Sequence, residues 1–205
     1  MSRCTQLADA PRLADAPRLT DAPRLANGSW GGVAEVSVPE PPAEVRAADF
    51  RHAIGHFATG VTIVTSVGAD GEPVGTTANA VTSLSLDPPL LLVCFDRSSV
   101  TLRAVRAHDA FVVNVLGARQ RHLSANFARR GLAATWDDVR HHAGPTGSPR
   151  LDKVLAAIEC TVQDRLPGGD HEIIVGRVQE VETNGKNAAP LLFWRGGYGS
   201  LLGEA

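Results

Sequence analysis

Short runs of β-branched and aliphatic residues, separated by turns more often than by helices, are the feature that most limits the fold of this chain. Residues 61–67 (VTIVTSV), 90–95 (LLLVCF) and 110–116 (AFVVNVL) have the length and composition of strands, and the last two are apolar enough to be buried on both faces. Helices do not alternate regularly with these strands, which argues against a doubly wound sheet. The pattern favours a closed or partly closed antiparallel barrel with helices at its ends.

The remaining elements are predicted from periodicity and turn signals. Phe50, Ala53, Ile54 and Phe57 fall on one apolar face of a predicted helix over residues 47–58. In all we predict about seven strands and three helices. A second helix is predicted to begin after Ser98 or Ser99, and a third to cover residues 119–130. The other predicted strands cover residues 73–85, 154–165 and 171–183, with short pieces at 190–194 and 198–202.

The first 45 residues differ from the rest of the chain. A six-residue unit of the form LADAPR occurs three times between residues 7 and 25, and the proline in each unit prevents a continuous helix. Such a segment buries too little apolar surface to offset the entropy lost on ordering. We predict a disordered tail over residues 1–45 and one domain over residues 46–205. A docking arm anchored by Leu13, Leu19 or Trp30, and a misassigned start codon, are the alternatives.

Composition excludes several classes of protein. No apolar run reaches the length of a membrane helix, and no basic start followed by an apolar stretch predicts a secretory signal. A formal net charge of −2 argues against the broad basic surface of a nucleic-acid-binding protein. The three cysteines, Cys4, Cys94 and Cys160, are far apart and form no CxxC pair, so we predict a cytoplasmic protein without disulfides.

Catalytic motifs exclude further mechanisms. The chain has no GxSxG, P-loop or HExxH motif, and Leu202 stands where a GxGxxG beginning at Gly197 needs its last glycine. His141 and His142 are adjacent in a polar segment, where histidines usually face solvent. We therefore predict no metal site.

Three segments have the composition of a site for an anionic, aromatic cofactor. At residues 95–101 (FDRSSVT) a strand ends and a helix begins, so free amides, hydroxyls and Arg97 suit a phosphate. The alternative is an ordinary helix cap, for which two serines are a common choice. Residues 75–83 (GTTANAVTS) are predicted to be extended, and their side chains are small or polar. Small side chains allow a flat ring to approach the backbone; the alternative is a solvent-facing edge strand. Residues 168–171 (GGDH) place His171 after a glycine turn, either at a pocket mouth or simply exposed.

The order of these motifs resembles one known family. GVTIVT at residues 60–65 is followed by GTTANAVTSLSLDPPLLLVCF, RSSVT, LSANFA, GGDH and finally Tyr198. This succession, over about residues 47–202, is similar to the short-chain flavin reductases, the reductase partners of two-component flavin-dependent monooxygenases. The resemblance does not include the tail.

The resemblance implies a mainly β fold with peripheral helices, namely an antiparallel split β-barrel of Greek-key topology and FMN-binding type that acts as a homodimer. It implies an NAD(P)H:flavin oxidoreductase that transfers a hydride to FMN or FAD and supplies reduced flavin to a partner monooxygenase. It also implies a set of flavin-binding residues. They are Thr76, Thr77, Ala78, Asn79 and Ala80 at the isoalloxazine, with Ser83 and Ser85 nearby; Arg97, Ser99 and Thr101 at the phosphate; Asn126, Phe127 and Ala128 beside the flavin and the nicotinamide; and Tyr198 near the ring.

For the nicotinamide site the resemblance implies only one residue beyond those shared with the flavin. His171 matches the family histidine near this cofactor, and we expect it to position the nicotinamide rather than to transfer a proton. NADH is the default, while Arg103, Arg106 or Arg129 could favour the 2′-phosphate of NADPH. Two other functions remain open: a non-catalytic flavin or electron carrier on the same barrel, and an accessory subunit that docks to an oxygenase through the tail.

Overall fold

The computed structural model describes residues 44–129, 134–184 and 188–201. Within those ranges the chain forms three α-helices, one 3₁₀ turn at Ala118–Gln120 and twelve strands. The helices α1 to α3 are Ala47–Ile54, Val100–His108 and Arg121–Phe127. The strands β1 to β12 are Thr59–Gly60, Thr62–Val67, Pro73–Ala78, Val81–Leu86, Pro89–Asp96, Ala110–Val115, His141–Ala143, Pro149–Leu151, Ala156–Gly168, His171–Thr183, Leu191–Trp194 and Gly197–Ser200.

Seven strands form the main sheet, in the order β3-β2-β6-β9-β10-β5-β4, and every neighbouring pair is antiparallel. Strands β3 and β4 are the two edges of this sheet, yet only Asn79 and Ala80 separate them in the chain. Three peptide steps span at most about 11 Å, so the two edges must lie close together. The sheet is therefore curled into a barrel, as predicted, and the barrel is split between β3 and β4.

Two smaller sheets complete the fold. One has the order β1-β11-β12, and the other pairs β7 with β8. The hairpin of β7 and β8 was not predicted, because two three-residue strands of mixed polarity show no period that a sequence pattern can reveal.

Two apolar clusters fill the barrel and its helical flanks. Leu102 and Val105 of α2 pack on one cluster, and Phe127 of α3 packs on the other. Strands β2 and β6 are buried along almost their whole length, which confirms the prediction for residues 110–116. Residues 90–95 were predicted to be buried on both faces of the strand, and in the single chain this is wrong. Leu91, Val93 and Phe95 are buried, whereas the residues between them are only half-buried.

Some boundaries differ from the predicted ones. The helix from Ala47 ends at Ile54 rather than at residue 58, and the extended segment over residues 73–85 is broken at Asn79 and Ala80 into β3 and β4. In α1 the apolar face is present but exposed: Phe50 is 63% and Ile54 52% accessible. Within the described ranges no helix is long and apolar enough to cross a membrane. The predicted tail lies almost wholly outside the described residues.

Candidate functional site

The start of α2 combines a helix cap with donors for an anion. Ser99 is the N-cap, and its Oγ accepts a hydrogen bond from the Leu102 amide at 3.3 Å, so the capping interpretation of this serine is confirmed. The amides of Val100 and Thr101 lie in the first turn, where no helix carbonyl can accept from them. Together with the positive end of the helix dipole, they make this turn suitable for a phosphate oxygen.

Asp96 shows how an oxygen anion is held at this turn. Its Oδ1 accepts hydrogen bonds from the Ser98 amide at 2.8 Å and from the Ser98 hydroxyl at 2.7 Å. A carboxylate of the protein thus uses part of the donor set predicted for phosphate. Thr101 is almost fully buried, so in this conformation its hydroxyl is not freely exposed to a ligand.

Strand pairing brings His171 to the phosphate segment. His171 at the start of β10 lies opposite Asp96 at the end of β5. Arg97 ties the two segments together, because its amide donates to the Asp170 carbonyl at 3.1 Å and its Nε donates to the His171 carbonyl at 3.3 Å. Two of the three predicted segments, 75 residues apart in sequence, therefore form one surface.

His171 has a fixed hydrogen-bond partner in Asp170. The His171 Nδ1 lies 2.7 Å from Asp170 Oδ1, and this hydrogen bond is the main cause that lowers the pKa of the Asp170 carboxyl. An ionised carboxylate can only accept, so the proton resides on Nδ1 and Nε2 is left for a ligand. About 43% of the His171 side chain is exposed, which makes this nitrogen accessible.

Strand β3 lies between α2 and α3 and is an edge of the sheet. Its side chains alternate: Gly75 and Thr77 face α3, whereas Ala78 packs on the core cluster beneath α2. A Cβ at Gly75 would lie 2.9 Å from Phe127 Cε1, so the flat ring that this small residue accommodates is a side chain of the protein itself. What β3 offers a ligand is its free backbone edge.

Two part-buried hydrogen bonds to Ser124 connect β3 to β12. The Thr77 hydroxyl donates to the Ser124 carbonyl at 2.7 Å, and the Ser124 hydroxyl lies 2.9 Å from the Tyr198 hydroxyl. The guanidinium of Arg121 lies 5.1 Å from the centre of the Tyr198 ring, a distance suited to a cation–π contact. Tyr198 is thus held by two contacts from α3.

Asn126 and Phe127 support the loop after α3. The Asn126 amide donates to the Thr135 carbonyl at 2.7 Å, and its Oδ1 accepts from the Thr135 hydroxyl at 3.1 Å. Phe127 is 3% exposed and packs edge-on against Trp136, with ring centres 5.0 Å apart. Both side chains are therefore committed to the protein, while Ala128 is exposed.

The remaining predicted residues line a large apolar groove. Asn79, Ala80, Ser83 and Ser85 lie on one wall of a cavity of about 1160 Å³. Cys94 lies on the same groove, where burial raises the pKa of its thiol. Thr76, Thr77 and Ala78 are not on this wall, so the predicted residues fall at the split between β3 and β4 and on the flanks of β3.

Two residues of this surface were not predicted as site residues. Ser124 is fully buried, and the signal for it is a serine on the apolar side of a helix, three positions before Phe127. Asp170 precedes His171 directly, and the signal for it is a carboxylate beside a histidine in a glycine turn. Both act by holding another residue in place.

The arginines considered for NADPH have different surroundings. Arg106 forms a two-point ion pair with Glu172, and this pairing lowers the pKa of the Glu172 carboxyl. Arg103 donates to the Ser98 carbonyl at 3.2 Å, so it lies beside the phosphate segment. Of the histidines considered for a metal, His142 lies 3.1 Å from Asp152, and His141 contacts the Trp136 ring edge-on.

A split antiparallel barrel, a helix start suited to a phosphate, a strand edge and an accessible histidine are together the features expected of a flavin-binding reductase. Residues 54–202 match the family model described as Flavin reductase like domain. The chain belongs to this family.

Individual relatives agree with this placement. The reductase component of a 4-nitrophenol 4-monooxygenase/4-nitrocatechol 2-monooxygenase from Rhodococcus opacus is 43% identical over 155 residues, which are 76% of this chain and 81% of the relative. A probable flavin reductase from Rhizobium meliloti is 45% identical over 152 residues, which are 72% of this chain, but the chain spans about half (47%) of that relative. An NADH:FAD oxidoreductase from Streptomyces globisporus, solved in complex with NAD and FAD fragments, superposes with a TM-score of 0.71 at 34% identity, covering 77% of this chain and 94% of that one.

Proposed function

We propose that this chain is an NAD(P)H-dependent flavin reductase that reduces FMN or FAD and supplies the reduced flavin to a separate flavin-dependent monooxygenase. The observation that supports this most is the pairing of β5 with β10, because it joins a helix start suited to an anion to an accessible histidine. The Rhodococcus opacus relative is the reductase component of a monooxygenase, which supports the proposed partner.

The flavin phosphate would be held at the start of α2. Arg97 supplies a charge, Ser99 a hydroxyl, and Val100 and Thr101 supply amides in the first turn. The phosphate would compete with Asp96 for the Ser98 donors, which suits a flavin that binds and leaves in each cycle. This segment fits any flavin phosphate, so FMN and FAD both remain candidates.

The isoalloxazine would lie against the free edge of β3. Thr76, Thr77 and Ala78 would contribute backbone groups, while Asn79, Ala80, Ser83 and Ser85 would border the ring at the split. Tyr198, held by Ser124, would limit the space beside it. Asn126 and Phe127 would act through the loop they support, with Ala128 exposed toward the ligand.

The nicotinamide would be positioned by His171. Bound together, the two cofactors supply the hydride transfer, and the protein supplies their alignment. With Asp170 accepting from Nδ1, the Nε2 of a neutral His171 can accept a hydrogen bond from a carboxamide N–H. We propose NADH as the preferred donor, because Arg106 is already paired with Glu172; Arg103 and Arg129 remain the candidates for contact with NADPH.

We also propose a homodimer in the cytoplasm. The groove at the split is apolar and open, and Cys94 and Cys160 are free thiols. We also propose that residues 1–45 form a disordered tail. Every residue assigned above to the flavin or the nicotinamide lies outside these residues.

Oxidation of NADH in air tests the function directly. The purified full-length chain should oxidise NADH only when FMN or FAD is added, with a rate that saturates in flavin because the flavin behaves as a substrate. The assay compares NADH with NADPH, and each with no flavin, FMN and FAD. A yellow protein that oxidises neither nucleotide would instead identify a flavin carrier, and absence of both oxidation and flavin binding would refute the proposal.

Replacement of His171 separates nicotinamide binding from flavin binding. We expect His171→Ala to raise KM for NADH about tenfold, as loss of one hydrogen bond to a polar ligand implies, with KM for flavin changed less than about twofold. The exposed His52 provides a control, since His52→Ala should change neither constant. An unchanged KM for NADH in His171→Ala would remove this residue from the site.

A further inference from the structure

A second cavity, of about 730 Å³, lies against a different face of α3 from the proposed flavin site. His122 and Leu123 line it, whereas Arg121 and Ser124 contact Tyr198. None of the residues assigned above to flavin or nicotinamide lines this cavity. Its volume is within the range of sites that hold small organic molecules.

Three cationic side chains line the cavity: Arg119, Arg140 and Lys153. All three are exposed, and within the described residues none of them forms an ion pair. Two carboxylates are also present, Asp138 and Asp152, and Asp152 is already hydrogen-bonded to His142 at 3.1 Å. The balance of charge in the lining is therefore positive.

The floor of the cavity is apolar and internally braced. Leu123, Val139 and Leu155 contribute aliphatic surface, and Val139 is 8% exposed. Gln120 joins two parts of the lining, because its Oε1 accepts from the Gly117 amide at 2.9 Å and its Nε2 donates to the Asp152 carbonyl at 3.4 Å.

Lys153 has a backbone conformation that only its surroundings can maintain. Its φ is +60°, in the left-handed region, which costs a non-glycine residue free energy. The preceding residue is fixed on both sides, since the Asp152 amide donates to the Arg140 carbonyl at 3.0 Å and the Asp152 carbonyl accepts from Gln120. Lys153 and Arg140 both line the cavity.

We propose that this cavity is a second ligand site, which binds an aromatic carboxylate. The aliphatic floor provides contact for a ring. The three cations, which form no ion pair among the described residues, provide partners for a carboxylate that can accept from two donors at once. The site is independent of the proposed reductase activity, because it shares no residue with the flavin surface.

Binding of 2-naphthoate to the full-length chain, followed by isothermal titration calorimetry without flavin, tests this assignment. We expect one naphthoate per chain. Naphthalene-2-carboxamide, which has the same rings without the charge, should bind at least about tenfold more weakly, and inorganic phosphate should not compete at equal concentration. The double variant Arg119→Gln/Lys153→Gln should weaken naphthoate binding at least about tenfold, because both residues are exposed and their loss leaves the fold unchanged.

Two controls separate this site from other surfaces. Arg177→Gln removes an exposed arginine of β10 that does not line the cavity, and it should leave naphthoate affinity within about twofold. Ala189→Trp should block binding by filling the cavity. The assignment is refuted if naphthoate does not bind, if the carboxamide binds equally well, if the double variant binds like the wild type, or if FMN displaces naphthoate.

Discussion

Arg150→Ala is expected to lower the free energy of unfolding by about 3–5 kcal/mol, because it leaves a fully buried carboxylate without its partner. Glu159 on β9 has no exposed surface, and Arg150 on β8 is 5% exposed. The Arg150 Nε donates to Glu159 Oε2 at 2.8 Å, and a second guanidinium nitrogen donates to the same oxygen. The ion pair therefore fixes the β7–β8 hairpin to the main sheet.

Urea unfolding followed by tryptophan fluorescence measures this effect. Arg150→Lys keeps the charge but loses the forked geometry, so it should fall between wild type and alanine and remains informative if the alanine variant does not fold. Arg150→Met combined with Glu159→Met should recover most of the stability, since no buried charge is left. Arg106→Ala breaks a pair with Glu172 in which the Arg106 side chain is 45% exposed, so it should cause a smaller change than Arg150→Ala. A wild-type urea midpoint for Arg150→Ala would contradict the argument.

The architecture was predictable from sequence where local patterns determine it. The Pro-Gly-Gly turn between two long extended segments predicted the β9–β10 hairpin, and β2 and β6 were predicted from their β-branched residues. The curled sheet follows from the two-residue link at Asn79 and Ala80, but only when the strand order is known. Sequence periodicity does not predict the strand order, because the order depends on which strands pair across long separations in the chain.

The candidate site was predictable as segments but not as contacts. Each of the three segments was found from its composition, whereas the contact of Arg97 with His171 depends on the register of β5 against β10. For Glu159 the sequence pattern predicts the wrong surroundings. A glutamate in a strand is expected to face solvent, and only a partner from the unpredicted strand β8 allows it to be buried.

We expect the wild-type chain to sediment as a dimer at micromolar concentration, because the groove at the split is apolar and its lining includes highly exposed side chains. Leu86 is 91% exposed and Phe57 71%, and both line this groove. Apolar patches of this kind on a single chain generally mark an interaction surface, and a two-fold symmetric partner is the most common solution. The exposed apolar face of α1 has the same explanation, because Ile54 on that face also lines the groove.

Leu86→Asp and Phe57→Asp should each raise the dimer dissociation constant at least about a hundredfold, because a charge would be placed in an apolar interface. The loss should show in sedimentation velocity rather than in folding, since both side chains are exposed in the single chain. Leu166→Asp is the matched control: Leu166 is 50% exposed on β9 but does not line the groove, so it should leave the dimer intact. Flavin reduction should fall with dimerisation, because Asn79, Ala80, Ser83 and Ser85 border the same groove. A monomeric wild type, or equal dissociation of Leu166→Asp and Leu86→Asp, would contradict this assignment of the groove.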